Sequence, residues 1–191
     1  SLILEGISLM ALLRFVAYFY PQRCAVIDDC QSLTYRELYN RTRQLAQILH
    51  TKFHLQPKMR VALIGRNSLT LTILLHALSR LGIHTTLLST DLGTKQITAA
   101  LQKHHYQLFV YDEDLKQIPT EAPCIAVTTE TLSDILLSKE AQTRDIKLPK
   151  IWRGGEITIY SGGTSGDFKS IARRPSVTSF LPPLLALLHN I

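Results

Sequence analysis

Glycines, small hydroxyl residues and one lysine are concentrated in an eleven-residue stretch, Tyr160-Ser161-Gly162-Gly163-Thr164-Ser165-Gly166-Asp167-Phe168-Lys169-Ser170. The glycines allow backbone N–H groups to point into one concavity, the small hydroxyl residues add donors, and Lys169 supplies a compact positive charge. The preceding run, residues 156–160, alternates and is rich in β-forming residues, which predicts a strand that ends at the loop. The loop is therefore predicted to bind phosphate. A flexible Gly/Ser turn is the simpler alternative, and it explains the glycines but neither the lysine nor the strand.

The Walker phosphate loop, with Gly, four residues, Gly, Lys and Ser/Thr, offers one comparison. From Gly163 the lysine and hydroxyl positions fit Lys169 and Ser170, but Phe168 stands where a second glycine would let the backbone approach phosphate. A Walker loop also runs straight into a helix, whereas Pro175 falls in the second turn of any helix that begins here. A P-loop NTPase with a degenerate motif is kept as an alternative.

The composition is that of a globular domain with a hydrophobic core, because 46% of the 191 residues are hydrophobic and 19% are charged. The formal net charge of +6 suits anionic ligands. The basic residues form no run, so nucleic acid is not an expected partner. Cys24, Cys30 and Cys124 have neither metal-binding nor redox spacing. They are interpreted as ordinary buried thiols of a reduced, cytoplasmic protein.

The first segment, Leu2 to Tyr20, is strongly apolar but is not expected to be a targeting sequence or a membrane span. Glu5 replaces the basic start of a signal peptide, and Arg14 interrupts the apolar run. A transmembrane helix would carry both charges through lipid. The segment is predicted to be an amphipathic helix that docks on the domain, with peripheral membrane contact as a minor alternative.

Strands and helices alternate along the remainder of the chain. The predicted elements are a hairpin of Cys24 to Asp28 with Ser32 to Thr34, a helix opened by a Thr34/Glu37 capping box and ending before Pro57, a strand Met59 to Gly65, a helix from an Asn67 cap to Gly82, a strand His84 to Leu88, a helix Thr94 to His105, strands Gln107 to Tyr111 and Cys124 to Val127, and a helix Thr131 to Glu140. This order predicts an α/β fold with a mainly parallel sheet and helices on both faces. In such sheets ligands bind at the carboxyl ends of the strands.

Other polar groups are given structural interpretations. His50 and His54 lie one helical turn apart but have no third ligand, so they are expected to be solvated at a helix end. The acidic run of residues 112–114 is interpreted as a solvated turn, and no metal site is predicted. Gly-x-Ser-x-Gly is not satisfied in the glycine-rich run, which disfavours a serine hydrolase.

The glycine-rich run resembles the signature Tyr-Thr-Ser-Gly-Thr-Thr-Gly-x-Pro-Lys-Gly of the adenylate-forming superfamily, which contains acyl-CoA synthetases, luciferases and peptide-synthetase adenylation domains. The matching residues are Tyr160, Ser161, Gly163, Thr164, Ser165, Gly166 and Lys169, and the departures are Gly162, Phe168 and Ser170. Two further segments resemble the same family. They are Pro21 and Ala25 with Thr34, Tyr35, Glu37 and Leu38, and Arg60-Val61-Ala62 with Asn67-Ser68.

The resemblance implies the N-terminal part of the large domain of an acyl-CoA synthetase-like, acid–thiol ligase. In that family a carboxylate attacks ATP, bound with Mg²⁺, to give an acyl-adenylate and pyrophosphate, and a thiol such as that of coenzyme A then takes the acyl group. The resemblance also assigns roles to the loop residues. The hydroxyls of Ser161, Thr164 and Ser165 and the backbone of Gly162, Gly163 and Gly166 would cradle phosphates, and Lys169 would neutralise pyrophosphate charge.

The family carries its adenine pocket, magnesium ligand and catalytic lysine further downstream, so the chain is expected to be a fragment that is inactive alone and contains no catalytic residue. Its expected parts are a docking helix at 1–20, a nucleotide-binding subdomain at 21–174 and a truncated helix at 175–191. Self-association is expected through exposed apolar surface in 2–20 or 176–191. A stand-alone anion- or nucleotide-binding module without catalysis is a second alternative.

Overall fold

The structure, a computed structural model, describes residues 6–28, 31–115, 117–119, 121–138, 146–162 and 168–174; at positions 161, 162, 168 and 169 it describes the backbone only. Its helices are α1 (Leu9–Phe19), α2 (Tyr35–Thr51), α3 (Leu69–Leu81), α4 (Thr94–Lys103) and α5 (Thr129–Leu137). Its strands are β1 (Cys24–Ile27), β2 (Ser32–Thr34), β3 (Arg60–Ile64), β4 (His84–Leu88), β5 (Leu108–Tyr111), β6 (Ile125–Thr128), β7 (Ile157–Gly162) and β8 (Phe168–Arg173).

Six of the strands form one sheet in the order β6-β5-β3-β4-β7-β8. Strands β3 to β7 are parallel where they pair, and β8 runs antiparallel to β7. Strands β1 and β2 form a separate antiparallel pair, as predicted. The α/β class with a mainly parallel sheet is therefore confirmed, whereas β8 was not predicted from the sequence.

The sheet is buried on both faces at β3, whose residues 61–64 are apolar without a break. Val61 and Leu63 of β3 lie in one hydrophobic cluster with residues of α1, α2, α3 and α5, and Ala62 and Ile64 lie in a second cluster with α4. The helix that follows β3 thus covers one face and the helix that follows β4 covers the other. At such a switch point the loops diverge and leave a crevice at the carboxyl ends of the strands.

Within the segment predicted to dock as a helix, Leu2 to Tyr20, the structure has helix α1 over Leu9–Phe19. Met10 and Leu13 are buried in the first cluster, and Ser79 of α3 accepts a hydrogen bond from the backbone N–H of Leu9 at 3.0 Å. Tyr18 and Phe19 at the other end of the helix are 80% and 53% exposed. Within the described ranges, no helix combines the length and apolarity needed to cross a bilayer.

Helix ends test the predicted caps directly. The Thr34/Glu37 capping box is present, and Gly82 ends α3 in the left-handed conformation with φ of 70°. The prediction of Asn67 as the cap of α3 is wrong, because the hydroxyl of Ser68 accepts from the N–H of Leu71 at 3.1 Å. Both residue types make good caps, and the geometry selects the second.

A polar connection returns the chain from α5 to β7, and its described part, residues 146–156, is fixed by buried side chains. Gln47 of α2 donates to the carbonyl of Ile146 at 3.0 Å, and Arg80 of α3 donates to that of Pro149 at 2.9 Å. Gly155 runs so close to the backbone of Ile83 that a Cβ there would overlap its carbonyl. These contacts set β7 beside β4 and so determine where the glycine-rich run begins.

The thiol and histidine interpretations need correction. Cys24 is exposed on β1 and Cys124 is half-buried, so the prediction of buried thiols is wrong for the first, while Cys30 lies outside the described residues. Burial raises the pKa of the Cys124 thiol. His50 is not simply solvated, because its Nδ1 lies 3.0 Å from the carbonyl oxygen of Leu55, whereas His54 is exposed.

Candidate functional site

Both described ends of the glycine-rich run belong to paired strands. Strands β7 and β8 pair in antiparallel register, and the last two pairs are Ser161 with Lys169 and Gly162 with Phe168. The prediction that residues 161–169 all form a loop is wrong for these four residues. The other predicted site residues lie outside the described part of the chain. They are Gly163, Thr164, Ser165 and Gly166.

The backbone therefore brings two of the predicted site residues together. Partners directly opposite each other in an antiparallel pair have Cα atoms about 4.5–5.5 Å apart. Ser161 and Lys169 are such partners, at the base of the five-residue connection between the strands. The same geometry excludes the Walker alternative, because Lys169 and Ser170 belong to a strand and not to the first turn of a helix.

The hairpin projects from the carboxyl edge of the parallel sheet. Tyr160 pairs with Leu88 at the end of β4, and its carbonyl accepts a hydrogen bond from the N–H of Ser89 at 3.0 Å. Strands β3, β4 and β7 are parallel, so the loops that follow them emerge at one edge. At this edge the connections that follow β3 and β4 lead to opposite faces of the sheet, and ligands bind at such a switch point in sheets of this kind.

Tyr160, the residue before the predicted site, is anchored in the second hydrophobic cluster. It is only 5% exposed, and its hydroxyl lies 3.0 Å from Nε2 of His104, the residue that ends α4. The ammonium group of Lys103 lies 5.9 Å from the centre of the Tyr160 ring. Burial, with Arg60 and Lys103 adding repulsion, lowers the pKa of His104, so the imidazole is neutral at neutral pH. Sequence reasoning missed this contact because 56 residues separate the partners.

The opposite end of the hairpin contains a second set of charges. Nε of Arg174 donates to a carboxylate oxygen of Glu156 at 2.5 Å, and the N–H of Glu156 donates to Nδ1 of His84 at 3.1 Å. The hydrogen bond from Arg174 lowers the pKa of Glu156. Lys169 and Arg174 are five residues apart on an extended strand, or about 17 Å. Arg174 is therefore part of the hairpin base and not of its tip.

A polar cavity of about 520 Å³ opens at the ends of β3, β5 and β6. Asp112 lines it and is only 8% exposed, so the prediction of a solvated acidic turn is wrong for this residue. Its carboxylate accepts from the N–H of Arg66 at 2.6 Å and from the hydroxyl of Thr129 at 2.8 Å, while Arg66 pairs with Asp114. Among the described residues no group of three or more His, Cys, Asp or Glu side chains could hold a metal ion. Asp112 thus fastens the turn from β3 to α3.

Comparisons with known proteins agree with this architecture. The family model described as AMP-binding enzyme matches residues 13–173. A 2-succinylbenzoate–CoA ligase of Bacillus velezensis is 26% identical over 155 residues, which cover 81% of this chain and 31% of that protein.

Solved structures share the fold. The N-terminal subdomain of Klebsiella oxytoca NpsA, in complex with 3-hydroxybenzoyl-AMSN, aligns with a TM-score of 0.73 and 21% identity over 90% of this chain and 42% of that chain. A Mycobacterium tuberculosis fatty acyl CoA synthetase aligns with a TM-score of 0.69 and 17% identity over 88% of this chain and 34% of that chain. The chain thus spans about a third to two fifths of the length of these relatives. The family model covers most of the chain, and the hairpin that carries the glycine-rich run lies within the match: the chain belongs to the AMP-binding enzyme family.

Proposed function

We propose that this chain is the N-terminal part of the large domain of an ATP-dependent acyl-adenylating ligase, in which the β7–β8 hairpin holds the polyphosphate of ATP. One observation carries the proposal. Strands β7 and β8, which flank residues 163–167 of the glycine-rich run, pair with each other at the carboxyl edge of the sheet, in a chain that matches the AMP-binding family along residues 13–173.

The predicted loop residues divide into two roles under this proposal. Backbone N–H groups of Gly162, Gly163 and Gly166, together with the hydroxyls of Ser161, Thr164 and Ser165, would donate hydrogen bonds to phosphate oxygens. Lys169 would offset the negative charge that develops on pyrophosphate. The register supports this division, because the pairing of Ser161 with Lys169 brings a donor position and the cation position to the base of one connection.

The reaction follows from the family. A carboxylate oxygen would attack the α-phosphorus of ATP, the bond to the pyrophosphate leaving group would break, and an acyl-adenylate would form. Mg²⁺ would accompany ATP as its counter-ion. Two of the relatives are named as a CoA ligase and a CoA synthetase, which supports coenzyme A as the thiol that accepts the acyl group. Residues 1–20, 21–174 and 175–191 would serve as docking helix, nucleotide-binding subdomain and lead into the rest of the large domain.

The use of ATP and coenzyme A supports a cytoplasmic location. No nucleic-acid partner is proposed, since the basic residues form no run in the sequence. The family match does not favour either alternative function: a binding module without catalysis or a P-loop NTPase.

Titration of pyrophosphate into the 191-residue chain tests the proposal. Lys169→Ala should weaken binding by about ten- to 150-fold, the equivalent of about 1.5 to 3 kcal/mol for a hydrogen bond to a charged group. Arg174→Ala is the matched control, because it removes one positive charge from the residue that directly follows β8, about 17 Å along the extended chain from Lys169. Equal losses for the two variants, fading together as ionic strength rises, would indicate a diffuse basic surface and contradict the proposal.

A further inference from the structure

The hydroxyl of Tyr160 and the imidazole of His104 form a contact that no role described so far requires. Tyr160 immediately precedes Ser161, so its side chain is the last one anchored in the core before the polyphosphate-binding residues begin. His104 follows α4, whose apolar face packs in the same cluster through Ile97, Ala100 and Leu101. The contact therefore ties the start of the hairpin tip to a helix that is fixed on the sheet.

The groups around His104 keep its imidazole neutral near neutral pH. Burial is the largest cause of the lowered pKa of His104. The positive charges of Arg60 on β3 and Lys103 on α4 lower this pKa further. The rings of Tyr106 and Tyr160 meet the imidazole edge to face at 5.9 and 6.4 Å between centres. A neutral imidazole packed between two tyrosines has few rotamers open to it, so the Tyr160 hydroxyl has a fixed partner.

We propose that His104 is a positioning residue for polyphosphate binding: through its hydrogen bond to the Tyr160 hydroxyl it fixes where β7 ends, and thereby the placement of Ser161 and Lys169. The inference rests on the proposed function of the hairpin. It predicts that His104, at the C-terminal cap of α4, sets the affinity of the polyphosphate site without touching the ligand, because a ligand that needs several donors at once binds best to a preorganised site.

The chain contains a matched control for loss of a buried tyrosine hydroxyl. The hydroxyl of Tyr106 donates to Thr86 of β4 at 3.1 Å, on the same face of the sheet and at similar burial. Tyr106→Phe removes a hydrogen bond of the same kind without touching β7. A merely structural role for the His104 contact would make Tyr160→Phe and Tyr106→Phe behave alike.

The experiment measures pyrophosphate affinity and thermal unfolding for the full 191-residue chain and its variants. Tyr160→Phe and His104→Leu should each weaken binding about fivefold, within the range for one neutral hydrogen bond. The double variant should be no weaker than either single one, because both remove the same contact. His104→Gln should restore binding to within about twofold, because its amide nitrogen can reach the position of Nε2. Tyr106→Phe should lower the unfolding temperature but leave affinity within twofold.

The outcomes separate the inference from the function on which it rests. Wild-type binding that depends on Lys169 but is unchanged in Tyr160→Phe and His104→Leu would overturn the positioning role alone. An equal loss of affinity in Tyr106→Phe would overturn it too, because the effect would then be general destabilisation. Absence of saturable pyrophosphate binding by the wild-type chain would overturn both.

Discussion

Replacement of Asp112 by alanine is expected to destabilise the fold strongly, although the residue lies in a run of three acids that looks like a surface turn. The Asp112 carboxylate is buried and accepts two hydrogen bonds, from the N–H of Arg66 and the hydroxyl of Thr129. Those two donors belong to the turn after β3 and to the start of α5. Truncation of Asp112 would therefore release two elements at the carboxyl edge at once.

The size of the effect can be worked from these contacts. A hydrogen bond to a charged group contributes about 1.5–3 kcal/mol, so two give about 3–6 kcal/mol before correction. Removal of the carboxylate also relieves the cost of burying a charge, which offsets part of that sum. We expect a net loss of about 3 kcal/mol in the free energy of unfolding. For a chain of this length that lowers Tm by about 6–12 °C.

A double-mutant cycle with Gly65 isolates the carboxylate as the cause. A Cβ added at Gly65 would lie 2.7 Å from Oδ1 of Asp112, so Gly65→Ala must displace the carboxylate from its partners. We expect Gly65→Ala to cost about 2 kcal/mol in the wild-type background and less than about 1 kcal/mol when Asp112 is already alanine. Urea unfolding of the four proteins measures the difference. Additive costs, or an Asp112→Ala variant as stable as the wild type, would show that the Asp112 carboxylate does not hold the turn after β3.

Two further predictions concern acid sensitivity and association. Burial lowers the pKa of His76, and the hydrogen bond from Arg174 lowers the pKa of Glu156. The unfolded chain therefore binds more protons than the folded chain, so the free energy of unfolding in urea should fall as pH drops below about 6.5 and fall further through the carboxyl range. A free energy of unfolding that does not change with pH would contradict this prediction. Ile159 of β7 and Ile171 of the edge strand β8 are Cα partners and are 49% and 54% exposed. The chain should therefore self-associate in sedimentation experiments. Ile159→Lys should reduce this association more than Ile27→Lys does on the separate hairpin, and equal effects of the two variants would contradict the prediction.

Local signals in the sequence were sufficient for much of the fold. The Thr34/Glu37 box and the glycine at position 82 fix helix ends through neighbours in the chain, and the structure confirms both. The unbroken apolar run of β3 likewise predicts a strand that is buried on both faces, as found. Each of these features depends on residues within a few positions of one another.

Two features were not predicted from the sequence: the burial of Asp112, which depends on distant residues, and strand β8. The buried Asp112 is hydrogen-bonded to Arg66 and Thr129, which are 46 and 17 residues away in the sequence. No residue near Asp112 in the sequence indicates these partners. Strand β8 did have a signal, because two runs joined by five residues that contain glycine are typical of a hairpin. The same glycines also fit a phosphate-loop pattern, which predicts no returning strand. The tip itself, residues 163–167, is predicted from its sequence alone.

Amide chemical shifts recorded while pyrophosphate is added to the ¹⁵N-labelled chain would locate the polyphosphate site. We expect saturable shifts centred on the amides of residues 161–169, with Lys169→Ala reducing the affinity and Arg174→Ala leaving it nearly unchanged. An absence of shifts would contradict a polyphosphate site at the β7–β8 hairpin. Shifts of amides near basic residues over the whole surface, without a concentration at the glycine-rich run, would contradict it too.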